Sequence, residues 1–128
     1  MTIVVICLAI IVFMPILVRL PVAWAMNKAG GYDNKHPRAQ QQQLTGLGAR
    51  AQAAHENCFE ATSFFAPTIL LVLALNAVTH TTAYLALAFV LCRIIFVVSY
   101  WFDWDKIRSV AWVLGMATIV AHYFYLFG

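Results

Sequence analysis

Arg50, Asn57 and Glu60 stand in one stretch, "ARAQAAHENCFEATSFFAP" (49–67), that reads as a helix running on into the apolar segment "TILLVLAL". At about 100° per residue, Arg50 and Asn57 are nearly eclipsed, and Glu60 lies one turn further on the same side. Glu56 flanks that stripe, and His55 points largely away from it. A second apolar segment places Arg93 and Tyr100 on one face by the same spacing. The cations of the two stripes, with Arg108, suit a small, polar, anionic ligand in a cavity between helices. The same residues also suit a ligand-free role, as polar glue or a buried ion pair between helices.

What makes these side chains notable is where they stand. A charge at the middle of a membrane-spanning helix costs about 2.5–3.5 kcal/mol on insertion scales, so such residues face a bundle interior or a watery cavity and find partners. Arg19 lies close enough to the end of its segment to snorkel. Arg93 does not. It lies ten residues before Asp103, which at about 1.5 Å per residue is roughly 15 Å deep. Glu60, on a helix running the other way, reaches a similar depth and is read as its partner. From this position the surrounding lipid would supply an apolar second substrate.

The elements that must carry these residues follow from composition. The chain has 128 residues, 63% of them hydrophobic and 10% charged, with a mean hydropathy of +0.82. An ordinary soluble domain is about 25% charged, and a chain this short has too little interior to hide so much apolar surface. The reading is an all-α integral membrane protein, one domain over 1–128. A spanning helix needs about 20 apolar residues, and four segments qualify: 3–26, 50–78, 81–101 and 107–127. Together they predict a left-handed up-down bundle. The one long polar connection, 28–48, contains turn chemistry at Gly30–Gly31 and Asp33–Asn34, and Pro37 is placed to open the second span at its first position. A cleaved signal peptide is disfavoured, because no basic region precedes the first apolar run and three further runs follow. Cys7, Cys58 and Cys92 fall inside apolar runs and read as reduced, small apolar residues. No metal site and no nucleic-acid partner are expected.

Basic residues set an orientation. Lys28, Lys35, Arg38 and Arg50 belong to the first connection or the helix leaving it, and Lys106 and Arg108 to the third. Four spans put both on one side. That side is expected to be cytoplasmic, with loops 28–48 and 102–106 inside and both termini outside.

The stretch "RAQAAHENCFEATSFFAP" resembles the second-helix signature of the MAPEG proteins, the membrane-associated proteins in eicosanoid and glutathione metabolism. Its Asn-x-x-Glu at Asn57 and Glu60 is followed by an aromatic, proline-bearing apolar run. "GYDNKHPRAQ" is similar to the loop of bacterial members. The third-helix arginine with tyrosine seven on, and "RSVAW" opening the fourth helix, match as well. The resemblance covers nearly the whole chain. It implies a homotrimer of four-helix protomers in a bacterial-type inner membrane, with glutathione as co-substrate between adjacent subunits. Carried over by position, Arg50, Asn57 and Glu60 would hold glutathione with Arg93 and Tyr100, and Ser109 would stand beside a catalytic Arg108. Two positions depart from the family's pattern: Ala53 replaces a common further arginine, and Phe96 replaces an aromatic bearing a hydroxyl or imidazole.

The implied chemistry fits the residue types. A free thiol has a pKa of about 8.5, a nearby cation lowers it, and the thiolate is the nucleophile. The expected function is therefore a glutathione transferase or peroxidase-like activity on a hydrophobic electrophile. A non-catalytic lipid-binding or scaffold protein of the same fold is the alternative. A small four-span transporter fits less well, because the first span has no acid to couple transport.

Overall fold

The computed structural model describes residues 1–128. It contains five helices: α1 (Thr2–Lys28), α2 (Pro37–Gln42), α3 (Gly46–Ala74), α4 (His80–Trp101) and α5 (Asp105–Phe127). All but α2 are long and apolar enough to cross a membrane, so the four expected spans are present. Only 32 of the 128 residues are buried within the chain, although 63% are hydrophobic. The apolar remainder, including Phe13, Leu17, Leu20, Leu91 and Val113, is exposed over the helix surfaces and must meet lipid. The protein is integral to the membrane.

The second span differs most from its expected limits, running over 46–74 rather than 50–78. Pro37 opens a separate short helix, not the span. The chain leaves α2 at Gln43, is extended at Thr45, and takes a left-handed conformation at Gly46 (φ +55°), through which no helix continues. Gln40 pins the connection to α1. Its Nε2 donates to the carbonyls of Met26 and Gly31 at 3.1 and 2.7 Å, and its Oε1 accepts from the Asp33 amide at 2.9 Å. The Asp33 carboxylate accepts from the amides of Lys35 and His36, both at 2.9 Å. Those bonds, the His36 amide first, hold its carboxyl below the usual range.

Both of the other turns are short because the helices stop cleanly. After α3, Asn76 is left-handed (φ +52°), and the amides of Ala77 and Asn76 return to the carbonyls of Val72 and Leu73. After α4, Asp103 (φ +62°) plays the same part, with Trp104 and Asp103 returning to Ser99 and Tyr100. This is the Schellman pattern, and Asn and Asp tolerate its left-handed position better than most residues. Thr79 and Thr82 form a reciprocal capping box at the start of α4.

The helices pack chiefly as two pairs, α1 on α3 and α4 on α5. α4 also lies against α3 and α1, and α1 does not reach α5. Gly48 lets α1 and α3 approach, since a β-carbon there would stand 2.9 Å from that of Ala25. Pro15 in mid-α1 has no N–H, so the Ile11 carbonyl loses its intrahelical donor. Thr62 of α3 donates to that carbonyl at 3.2 Å, a hydroxyl it shares with Cys58 of its own helix. His55 Nδ1 bonds the Pro15 carbonyl at 2.9 Å, which fixes the proton on that nitrogen. The proline that weakens α1 thereby anchors it to α3. α5 buries one narrow stripe of Ala111, Gly115, Ile119 and His122 and leaves its other faces exposed.

Candidate functional site

Arg93, in the middle of α4, is only 1% exposed. Its Nη2 donates to Asn57 Oδ1 on α3 at 2.9 Å, and Asn57 Nδ2 donates to Glu60 Oε2 at 2.7 Å. Only this amide orientation serves both neighbours, because arginine can only donate and an ionised carboxylate can only accept. The expected approach of Glu60 to Arg93 therefore takes another form. The one ion pair within the chain is His36 with Asp33, and Asn57 stands as a relay between Glu60 and Arg93. The relay leaves Arg93 Nε and Nη1 buried with no partner. Glu60 itself is exposed on the outer face of α3, between Phe59 and Phe64.

A column of cations and rings runs from Arg93 to the end of α4. The Arg93 guanidinium lies 4.2 Å from the centre of the Phe96 ring. Phe96 meets Tyr100 edge-on at 5.4 Å, and the Arg108 guanidinium covers Tyr100 at 4.3 Å. A phenylalanine at 96 offers Arg93 a π-face in place of a hydrogen-bond acceptor, which accommodates the charge without consuming its donors. Arg108, in the first turn of α5, is half-buried. Its side chain reaches across the α4–α5 junction to Tyr100.

The other expected ligand residues are placed less centrally. Arg50 donates its Nε to the Trp101 carbonyl at 3.3 Å. There it neutralises the last turn of α4, where carbonyls lack helical partners, and its two terminal nitrogens make no bond within the chain. The contact also puts the start of α3 and the end of α4 at one end of the bundle, as both basic connections require. Ser109 turns back on its own helix and donates to the Asp105 carbonyl at 3.0 Å. Arg19 reaches the Tyr32 hydroxyl at 3.1 Å in the loop, the snorkelling read from its position.

The structure also assembles polar residues that the pattern of charges did not single out. α2 folds over the first turns of α3 and encloses a cleft of about 280 Å³, lined by Arg38, Gln41, Gln42, Leu44, Ala49, Gln52, Ala53 and Glu56. Gln41 is 4% exposed with neither side-chain atom bonded, and Gln52 is 9% exposed with its Oε1 unpartnered. Gln52 Nε2 donates to Glu56 at 2.8 Å. Glutamines at 41 and 52 carry no charge and share no helix, so no periodicity joins them. The one signal was the four-glutamine run itself, of which two members prove to be buried or half-buried: Gln40 as the anchor of the loop and Gln41 at the cleft.

The family model described as the MAPEG family matches residues 3–128. No curated protein and no solved structure matches the chain.

Proposed function

The chain belongs to the MAPEG family of membrane proteins in eicosanoid and glutathione metabolism, and from that premise we propose that it binds glutathione and presents its thiolate to a hydrophobic electrophile dissolved in the bilayer. The observation that carries this reading is the buried Arg93, with two unpartnered nitrogens, wired through Asn57 to the exposed carboxylate of Glu60. A site that holds a charge of each sign and leaves donors free is arranged for a small ligand that also carries both. Carboxylates of the tripeptide meet Arg50 and Arg93, its ammonium meets Glu60, and Tyr100 borders the site.

Arg108 is the proposed catalytic residue. A guanidinium beside the sulfur favours the thiolate without any general base, and the thiol proton leaves to solvent. The thiolate sulfur then forms a carbon–sulfur bond to the electrophile, whose leaving group departs with its electron pair. Arg108 rests on the face of Tyr100, so its position is held by a ring and its donors remain for the sulfur.

A homotrimer completes the proposal. Glu56, Glu60 and Ser63 are exposed along α3 in the single chain. A carboxylate facing lipid at this depth is costly, and packing that face against a second copy would remove the cost and enclose the ligand between subunits. The site then opens on the side of the basic connections, read as cytoplasmic.

The test is ultraviolet difference absorbance of glutathione bound to the purified protein, followed against pH. The expected result is a thiolate band at neutral pH that Arg108→Ala removes while glutathione affinity changes little. A wild-type protein without that band is the non-catalytic binder or scaffold. A band that survives Arg108→Ala places activation on another residue.

A further inference from the structure

The lipid-facing side of the α4–α5 pair contains a groove of about 330 Å³ in which the one charged side chain is that of Lys106. The groove exists because Ala111 and Cys92 are small where their neighbours Ile95, Val110 and Leu114 are large and exposed. From Lys106 to Leu114 the helix rises about 12 Å, which lies within one leaflet of a hydrocarbon core about 30 Å thick. Arg108 does not line the groove, since its guanidinium lies on Tyr100, so the groove is separate from the site described above. The turn at its mouth marks the level of the lipid headgroups. Phe102 and Trp104 are exposed there and stack at 5.3 Å, and aromatic side chains so placed favour the membrane–water interface. Asp103 and Asp105 stand beside them, both exposed. Neither carboxylate pairs with Lys106 or with any other cation of the chain, whose one ion pair is His36 with Asp33. One cation and two anions are thus left unpaired within four residues.

We infer that the groove and this turn form a site for an ethanolamine phospholipid. One acyl chain lies in the groove over Ala111 and Cys92, the phosphate accepts from Lys106 Nζ, and the primary ammonium donates to Asp103 or Asp105. A lysine above an apolar groove suits any phospholipid, and the two carboxylates decide the headgroup. They repel an anionic headgroup that lacks an amine, and they offer a primary ammonium a charge-assisted acceptor. The quaternary ammonium of choline has no N–H to donate. No residue of α3 lines the groove, so the site does not compete with the contact between copies proposed for that helix.

The experiment is native mass spectrometry of the full chain, released from micelles after titration with phosphatidylethanolamine, phosphatidylcholine or phosphatidylglycerol bearing the same acyl chains. Wild type is expected to hold phosphatidylethanolamine about tenfold more tightly than either of the others, the scale of one charge-assisted contact. Asp103→Asn combined with Asp105→Asn is expected to lower phosphatidylethanolamine to the level of phosphatidylcholine and to leave phosphatidylcholine unchanged. Lys106→Gln is expected to weaken all three lipids. Val110→Trp, which fills the groove from an exposed position, is expected to weaken phosphatidylethanolamine. All four side chains are exposed, so the unfolding midpoint in lipid-free micelles is expected to stay at the wild-type value in each variant. Equal binding of phosphatidylethanolamine and phosphatidylcholine would reduce the groove to ordinary lipid-covered surface, and tighter binding of phosphatidylglycerol would make it a site for anionic lipid; either result overturns the proposal. Retention of the preference in the double asparagine variant, or an unchanged phosphatidylethanolamine affinity in Val110→Trp or Lys106→Gln, overturns it as well.

Discussion

Replacing Asn57 with leucine would break the relay at its centre and leave its ends in place. Leucine branches at the same carbon as asparagine and has a better helix propensity, so the loss is chiefly that of the polar contacts. Arg93 is 1% exposed, and its Nε and Nη1 already lack partners. The 2.9 Å bond from Nη2 to Asn57 is the guanidinium's one hydrogen bond to another helix. A hydrogen bond to a charged group contributes about 1.5–3 kcal/mol, and stripping a buried charge of its partner costs about 3–5 kcal/mol. Polar contacts between membrane helices measure lower, averaging about 0.6 kcal/mol, because the unfolded chain in the bilayer finds other partners. Arg93 lies above that average because no second hydrogen bond holds its buried guanidinium. The expected loss is about 2 kcal/mol, close to thirtyfold in the unfolding equilibrium. The assay is reversible unfolding in mixed micelles of wild type, Asn57→Leu, Arg93→Met and the double variant. The double variant is expected to be more stable than the sum of the single losses predicts, since it buries no stranded charge. Additive losses, or a cost for Asn57→Leu below about 0.5 kcal/mol, would refute the claim that Asn57 is what neutralises Arg93's isolation.

Three further outcomes follow from single features. Gly48→Ala should destabilise the protein despite adding a better helix former. The new β-carbon would stand 2.9 Å from that of Ala25, and overpacking of about 1–3 kcal/mol outweighs the roughly 0.5–1 kcal/mol that alanine gains in a helix; an unfolding midpoint at or above wild type would count against it. The Asp33 carboxyl is held below its usual range, so its contribution is complete above the ordinary aspartate pKa of about 3.9 and disappears as pH falls through the lower folded value. Wild type should therefore exceed Asp33→Ala in unfolding midpoint at neutral pH and converge with it in strong acid, and a gap that persists in acid would contradict the sign. Lys35→Cys, in a chain with its three native cysteines replaced, should react with an impermeant maleimide only after the membrane is opened; labelling from outside intact cells would invert the orientation.

The extent of what the residues alone convey is clearest at α3. Arg50, Asn57 and Glu60 were placed on one face by helical spacing, and Asn57 and Glu60 do stand close enough to bond. The position of Arg93 deep in its span and on a shared face with Tyr100 was legible the same way. The partner of Arg93 was not. Depth and opposite charge pointed to Glu60, but which side chain an arginine meets depends on the rotation and separation of two helices, and these bring Asn57 into reach first. Arg50 shows the same limit, because its bond to the Trp101 carbonyl joins residues fifty-one apart in the chain.

The first connection divides along the same line. Gly30, Gly31, Asp33 and Pro37 announced turns, because their backbone preferences act within a few residues. That Pro37 begins a separate helix, which folds over α3 and buries Gln41, was decided by the anchoring of Gln40 on the carbonyls of Met26 and Gly31. The sequence by itself determined the class of protein, the number of spans and that the two basic connections meet at one end of the bundle. Those follow from the cost of placing charge and unpaired backbone in lipid, which is paid residue by residue and needs no knowledge of neighbours. Only the tertiary structure decided which polar groups pair, which are left wanting a partner, and where a cleft forms. Each of these depends on distances between helices of a few ångströms, set by the packing of Gly48 on Ala25 and by the bonds of Thr62 and His55 to the carbonyls of Ile11 and Pro15.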